Sequence, residues 1–232
     1  MPASRLFRFL AAALVLLAAA GCALNVIGRG DPGSVESLPG DRALVFGRIN
    51  YVIDGRIKTP YGAFRPAWPA PPLTLLSLES GEFHSSPAVA DADGSFVWEL
   101  PPGHYVISRI GVGQIWDDTY IAWPRIAFRV PSGPRMTYLG HLVLDGSSYT
   151  EEFTYSTGRK STTSGVRYRF EVRDEMESQL AGLRERHPGK AMPAGKALMF
   201  HDPQMPIGEP LANAWRASRE AVIARIFGAA QQ

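Results

Sequence analysis

From Ala43 onward, apolar and polar side chains alternate. In the run 43–53, Val45, Ile49, Tyr51 and Ile53 fall on one face, with Arg48 and Asn50 on the other. That period of two marks a half-buried strand, and Asp54-Gly55 then supplies the residues of a tight hairpin turn. A Pro-rich stretch through Pro60, Pro66, Pro69, Pro71 and Pro72 leads to predicted strands at Leu73 to Leu78 and His84 to Ala90. Asp93-Gly94 signals another hairpin, because Gly accepts the positive φ of a tight turn. Beyond it Phe96, Trp98 and Leu100 alternate with Val97 and Glu99, setting three large side chains toward a core. Pro101-Pro102-Gly103 turns the chain into a strand beginning at Tyr105, and two more strands are expected at Ile121 to Val130 and Met136 to Leu144. In the last of these, Tyr138, Gly140, Leu142 and Leu144 should share a face. Seven short strands with turn signals between them, and no helical period before about residue 174, predict a mainly β fold built as a seven-stranded antiparallel sandwich over residues 43–146.

Residues 147–232 read as a small α/β extension. Glu152 to Tyr155 and Val166 to Val172 are strand-like, and Asp174 with Glu177 three residues on forms a capping pattern for a helix through Met176, Leu180 and Leu183. A second helix starts at Pro210. Its apolar face of Leu211, Trp215, Val222, Ile223, Ile226 and Phe227 opposes Arg216, Arg219, Glu220 and Arg225. Such a face is expected to pack on the sheet or on the first helix, with a partner or a membrane surface as the alternative occupant.

The first residues follow neither period. Arg5 and Arg8 precede an apolar run from Phe9 to Ala20, shorter than the roughly 20 residues that cross a hydrocarbon core. A basic start, a short apolar run and small residues before a cleavage point make residues 1–21 an export signal. Residues 22–42, rich in Gly, Pro and polar side chains, read as a flexible tether.

Two resemblances follow from these residues. Ala19-Ala20-Gly21-Cys22 resembles the bacterial lipobox, with Ala19 where Leu is usual. It implies that Cys22 carries acyl chains and anchors the mature chain to a membrane. Cys22 is also the only Cys, so no internal disulfide competes for it. Ala23, where Asp would retain a lipoprotein at the inner membrane, implies an outer membrane location facing the periplasm. The run Asp93-Gly94-x-Phe96 through Leu100-Pro101-Pro102-Gly103-x-Tyr105, with Tyr138-x-Gly140 later, is similar to the carboxypeptidase regulatory-like domains. That family implies a transthyretin-like (prealbumin-like) sandwich and a non-catalytic module for stability, adhesion or binding, while fold alone fixes no activity.

Charge narrows the partners. Removing residues 1–21 takes away Arg5 and Arg8 from 24 basic side chains, leaving 22 against 22 acidic ones. A balanced, exported chain lacks the basic excess of a nucleic-acid binder. The expected partners are therefore the membrane, through Cys22, and an envelope protein or glycan.

Candidate chemistry is sparse. No Gly-x-Ser-x-Gly, Ser-x-x-Lys or His-Glu-x-x-His occurs, and both Gly-Lys pairs are followed by Ala, which excludes a phosphate loop. Gly28-x-Gly30-x-x-Gly33 lacks the preceding strand that a dinucleotide site requires. Asp91-x-Asp93-Gly94 has the wrong spacing for a helical calcium loop and reads as a turn. Neither cofactor, metal nor catalytic residue is expected. The one competing enzyme reading is an envelope hydrolase whose metal or carbohydrate site gathers His84, His104 and His141 with nearby carboxylates such as Asp117 and Asp118. Arg159, Lys160, Arg167, Arg169 and Arg173 form the one cationic set that suits lipid headgroups or anionic glycans, against a self-neutralised face with Glu171, Asp174 and Glu175.

Overall fold

The computed structural model describes residues 25–58, 73–86, 90–91, 93–112, 120–133 and 136–228. Residues 1–24, with the signal and Cys22, lie outside the described residues, as do the Pro-rich stretch, Asp117 and Asp118.

In chain order the strands are β1 (Asn25–Val26), β2 (Gly28–Arg29), β3 (Ala43–Ile53), β4 (Arg56–Lys58), β5 (Leu73–Ser77), β6 (Phe83–Ser86), β7 (Ser95–Leu100), β8 (Gly103–Val112), β9 (Tyr120–Ala122), β10 (Ile126–Val130), β11 (Met136–Thr154), β12 (Lys160–Arg173), β13 (Ala194–Lys196) and β14 (Phe200–His201). The helices are α1 (Met176–Arg186), α2 (Glu209–Ala217) and α3 (Arg219–Gly228). The fold is mainly β and has two sheets. Sheet A runs β1-β6-β5-β8-β10-β14, with β9 also beside β8; sheet B runs β12-β11-β3-β7-β2, with β13 beside β11 and β4 beside β3. Between them lies a core that includes Val45, Tyr51, Leu75, Trp98, Phe128 and Leu142.

The structure departs from the sequence expectation in several places. Both sheets are mixed: β1 with β6, β11 with β3 and β11 with β13 are parallel. The chain between β3 and β11 passes through the other sheet, and such a crossover is what a parallel neighbour requires. Asp54-Gly55 closes the two-residue β3–β4 hairpin, both residues at positive φ. Asp93-Gly94 makes a tight turn but no hairpin, because it carries the chain from β6 in sheet A to β7 in sheet B. Gly94 has φ +86, and a Cβ there would meet Ile49 O at 2.5 Å, so the turn packs backbone to backbone on β3.

Tyr138 does not share a face with Leu142. A β-bulge between Tyr138 and Gly140, with Gly140 at φ +109, inserts Leu139 and reverses the alternation. Tyr138 therefore faces outward, while Leu139, Leu142 and Leu144 face the other sheet.

The expected tether and extension are built into this body. β1 pairs with the edge of sheet A, β2 with the edge of sheet B, and Ile27 and Val35 are buried. Residue 146 falls inside β11, which continues with β12 as a hairpin past the end of β3. α1 covers the outer face of sheet B on Leu44, Phe46 and Tyr138. α2 and α3 cover part of the outer face of sheet A, where Leu211, Val222 and Ile226 are buried on Leu76, Leu78 and Val106. The expected single helix is thus two: Ser218 is extended (φ −160, ψ 108), and its hydroxyl accepts from Ala221 N–H, capping α3. α1 starts at Met176 with Glu175 at the N-cap making no side-chain cap bond; the Asp174 carboxylate instead accepts from Met176 N–H at 3.4 Å through Oδ1 while Oδ2 is held by Lys196.

Candidate binding groove

The outer face of sheet A is only partly roofed. Between α2 and strands β5, β6 and β8 lies a groove of about 450 Å³, within the range of small-ligand sites. Its described lining includes Phe83, Arg109, Trp123, Trp215 and Arg216, and no carboxylate.

Each of these side chains is placed by a local device. On β8, Tyr105 and Ile107 face the core, and simple alternation would send Arg109 after them. Instead the register shifts opposite Thr74 and Leu75, leaving Ser108 as the extra residue of a bulge. Ile110 takes the core position, and Arg109 turns out into the groove. Its Nε is buried without a hydrogen-bond partner among the described residues, as are Arg48 Nε and Arg125 Nε elsewhere in the fold. Trp215 is held by an Nε1–H bond to Leu78 O at 2.8 Å. Its ring lies against Gly81, where a Cβ would approach it to 2.5 Å and where φ is +73. Arg216 donates to the neutral side chain of Asn213 at 2.9 Å and so keeps its charge. Phe83 and Trp123 stand 54% and 55% exposed, more than a folded chain leaves uncovered without cause when two such side chains border one groove.

The sequence-predicted residues lie elsewhere, and the three histidines do not converge. His84 faces the core edge-on to Tyr105, and burial lowers its pKa. His104 lies on the opposite face under α3, with Nδ1 2.6 Å from Glu79 and its ring against Phe227. His141 is on the outer face of sheet B: Nε2 is 2.7 Å from Asn50 Oδ1, and Nδ1 is 3.0 Å from Glu175 Oε2, near enough for an ion pair but out of line for a hydrogen bond. No group of three or more metal-ligating side chains occurs among the described residues.

The two carboxylates of the Asp-x-Asp-Gly turn are committed. Asp91 pairs with Arg29 at 2.7 Å. Burial pushes the Asp93 carboxyl up, but the Ser95 bonds and the charges of Arg186 and Arg48 outweigh it and hold it below its ordinary value. The cationic set is mostly spent on neighbours: Arg167 on Glu151 and the Tyr149 ring, Arg173 on Glu171, and Lys160 on Glu152.

Sequence reading missed Arg109 and Trp123. A signal was present in the three-residue spacing from Ile107 to Ile110, which breaks the strand period and places Ser108-Arg109 at the break.

No family model, curated protein or solved structure matches this chain.

Proposed function

We propose that this chain is a lipid-anchored protein of the bacterial envelope, acting without catalysis as a binding module, and that the groove on sheet A is its ligand site. The observation that carries the reading is the conjunction, in one concave site, of exposed Phe83 and Trp123 with two arginines that have no carboxylate partner among the described residues. Aromatic faces take an apolar or planar body, and guanidinium forks take an anionic group. The ligand class is therefore an anionic amphiphile. The anchor rests on the signal of residues 1–21 and the lipobox-like Cys22.

The sandwich is proposed as carboxypeptidase regulatory-like. The motif residues act locally in support: the Tyr105 hydroxyl donates to Pro101 O at 2.8 Å, closing the Leu-Pro-Pro-Gly-x-Tyr loop on itself. Gly103, at φ +155, leaves room for Glu79, which accepts from His104 N–H.

The test uses anilinonaphthalene sulfonate, an aromatic anion, with the mature chain. Saturable binding is expected, weakened about tenfold, or 1.4 kcal/mol, by Arg109→Ala and by Trp123→Ala, with the denaturation midpoint unchanged. Binding indifferent to both substitutions would remove the groove as the site. Intact mass of membrane-purified protein beside Cys22→Ala reads the anchor directly: added acyl mass on Cys22 supports it, and an unmodified thiol refutes it.

A further inference from the structure

We infer that the groove's ligand is the anionic lipid surface of the membrane bearing the anchor, so that the β1 edge of sheet A lies against the bilayer. This rests on the proposed lipidation of Cys22 and on the groove as a binding site. Three lines of geometry carry it.

Reach comes first. Only three residue steps separate Cys22 from Asn25, where β1 begins. An extended chain covers at most about 3.5 Å per residue, so the lipid-bearing residue lies within roughly 11 Å of sheet A. That is no stand-off linker.

Direction comes next. Val26 sits opposite Ser85, Ser85 opposite Thr74, and Thr74 opposite Arg109. Directly opposed residues share a face, so one cross-strand row runs from the anchor strand to the groove. With strands about 4.8 Å apart, three spacings put Arg109 some 14 Å from Val26. The row lies on the outer face of the sheet, where Thr74 and Arg109 line the groove.

Chemistry completes it. Val26, Phe83 and Trp123 are 63%, 54% and 55% exposed. Phe83 is two residues from Ser85 on β6 and so projects to the same side as the row. Trp is the side chain that settles at membrane interfaces, and basic residues near an anionic leaflet add attraction that falls off within a Debye length. Arg109 and Arg216 supply that charge, and the lining holds no carboxylate among the described residues. The other exposed aromatic patch, Phe153 and Tyr155 on the β11–β12 hairpin, is richer in carboxylate: Lys160 and Arg167 are paired with Glu152 and Glu151, leaving Arg159 opposite Tyr155 without an ion pair among the described residues.

The experiment is cosedimentation of the mature chain, residues 22–232 with Cys22→Ala, with vesicles. Removing the acyl chains leaves the protein's own affinity to be read. Binding is expected on phosphatidylglycerol–phosphatidylethanolamine vesicles and not on phosphatidylcholine alone, with a blue shift of Trp emission and loss at high salt. Arg109→Ala, Arg216→Ala and Trp123→Ala should each weaken it about fivefold, while Phe153→Ala leaves it unchanged. Absence of binding, equal binding to phosphatidylcholine, or indifference to the groove substitutions overturns the inference. So does groove occupancy by free glycerol phosphate without vesicle binding, which identifies a soluble phosphate ligand. Groove-dependent dye binding without vesicle binding leaves the ligand site standing and removes only the membrane assignment. An unmodified Cys22 removes the anchor and the reach argument, whatever the dye shows.

Discussion

The two outer faces of the sandwich are built on the same plan, a sheet with helices laid across it, yet they end in opposite states. On sheet B, α1 closes over the face and most polar groups beneath it find partners, although Arg48 Nε and His141 Nδ1 have no hydrogen bond among the described residues. The Tyr138 hydroxyl accepts from Glu175 N–H at 2.9 Å and from Gln179 Nε2 at 3.3 Å, and His141 lies between Asn50 and Glu175. On sheet A, α2 leaves a groove open over β5, β6 and β8, where Arg109 Nε has no partner among the described residues and Phe83 and Trp123 stand exposed. A buried polar group satisfied inside the chain is architecture. One left unsatisfied costs stability, and both faces carry such an atom, so what sets sheet A apart is the open groove with its exposed aromatic pair. The closed face holds the fold together, and the open face is the one proposed to bind.

The largest effects should come from the closed face. Phe46, 1% exposed and tilted against Tyr138 at 5.2 Å, should cost about 3–5 kcal/mol as Phe46→Ala, read by chemical denaturation. Dye binding by the remaining folded protein should be unaffected; a loss of both would break the separation of the two faces. Next, Leu211→Ala should cost about 2–4 kcal/mol and also weaken dye binding, since Leu211 fixes α2 on sheet A and lines the groove.

A smaller effect follows from Glu175. Contact with the His141 ring, aided by Arg48 and Gln179 and opposed by partial burial, holds its carboxyl below the ordinary glutamate value of 4.5. A carboxyl depressed in the folded state contributes stability above its unfolded pKa and loses that contribution as pH falls through the folded one. Denaturation midpoints should therefore drop as pH is lowered through and below 4.5, and Glu175→Gln should flatten that slope. An unchanged slope would mean that Glu175 is not part of the closed face's polar lock.

The smallest stability change belongs to the open face. Arg109→Leu removes a guanidinium with an unpaired Nε, so stability should stay within about 1 kcal/mol of the parent or rise, while dye affinity falls. A loss of several kcal/mol would show that Arg109 is structural and bring the two faces into line.

Much of the β architecture was legible. The strand at 43–53, the Asp54-Gly55 hairpin and the core trio Phe96, Trp98 and Leu100 follow from alternation and turn chemistry, which act between near neighbours. Two bulges were not legible as such. The insertions of Leu139 and Ser108 each reverse a strand's alternation, and whether a strand absorbs an extra residue depends on the strand beside it. The histidines illustrate the same limit from the other side. His84 on β6 and His104 on β8 both belong to sheet A, yet β5 lies between their strands and they face opposite sides, and His141 belongs to the other sheet.

By itself the sequence determined most of the local elements: where strands and helices form and where the chain turns. Those depend on side-chain period and backbone stereochemistry, which are written residue by residue. The tertiary structure alone decided which strands are neighbours, that residues 25–29 stitch both sheets at their edges, and that Arg109 meets Trp123 and Arg216 across one groove. These are relations between distant segments, and a register shift of a single residue turns a side chain from the core to the open groove.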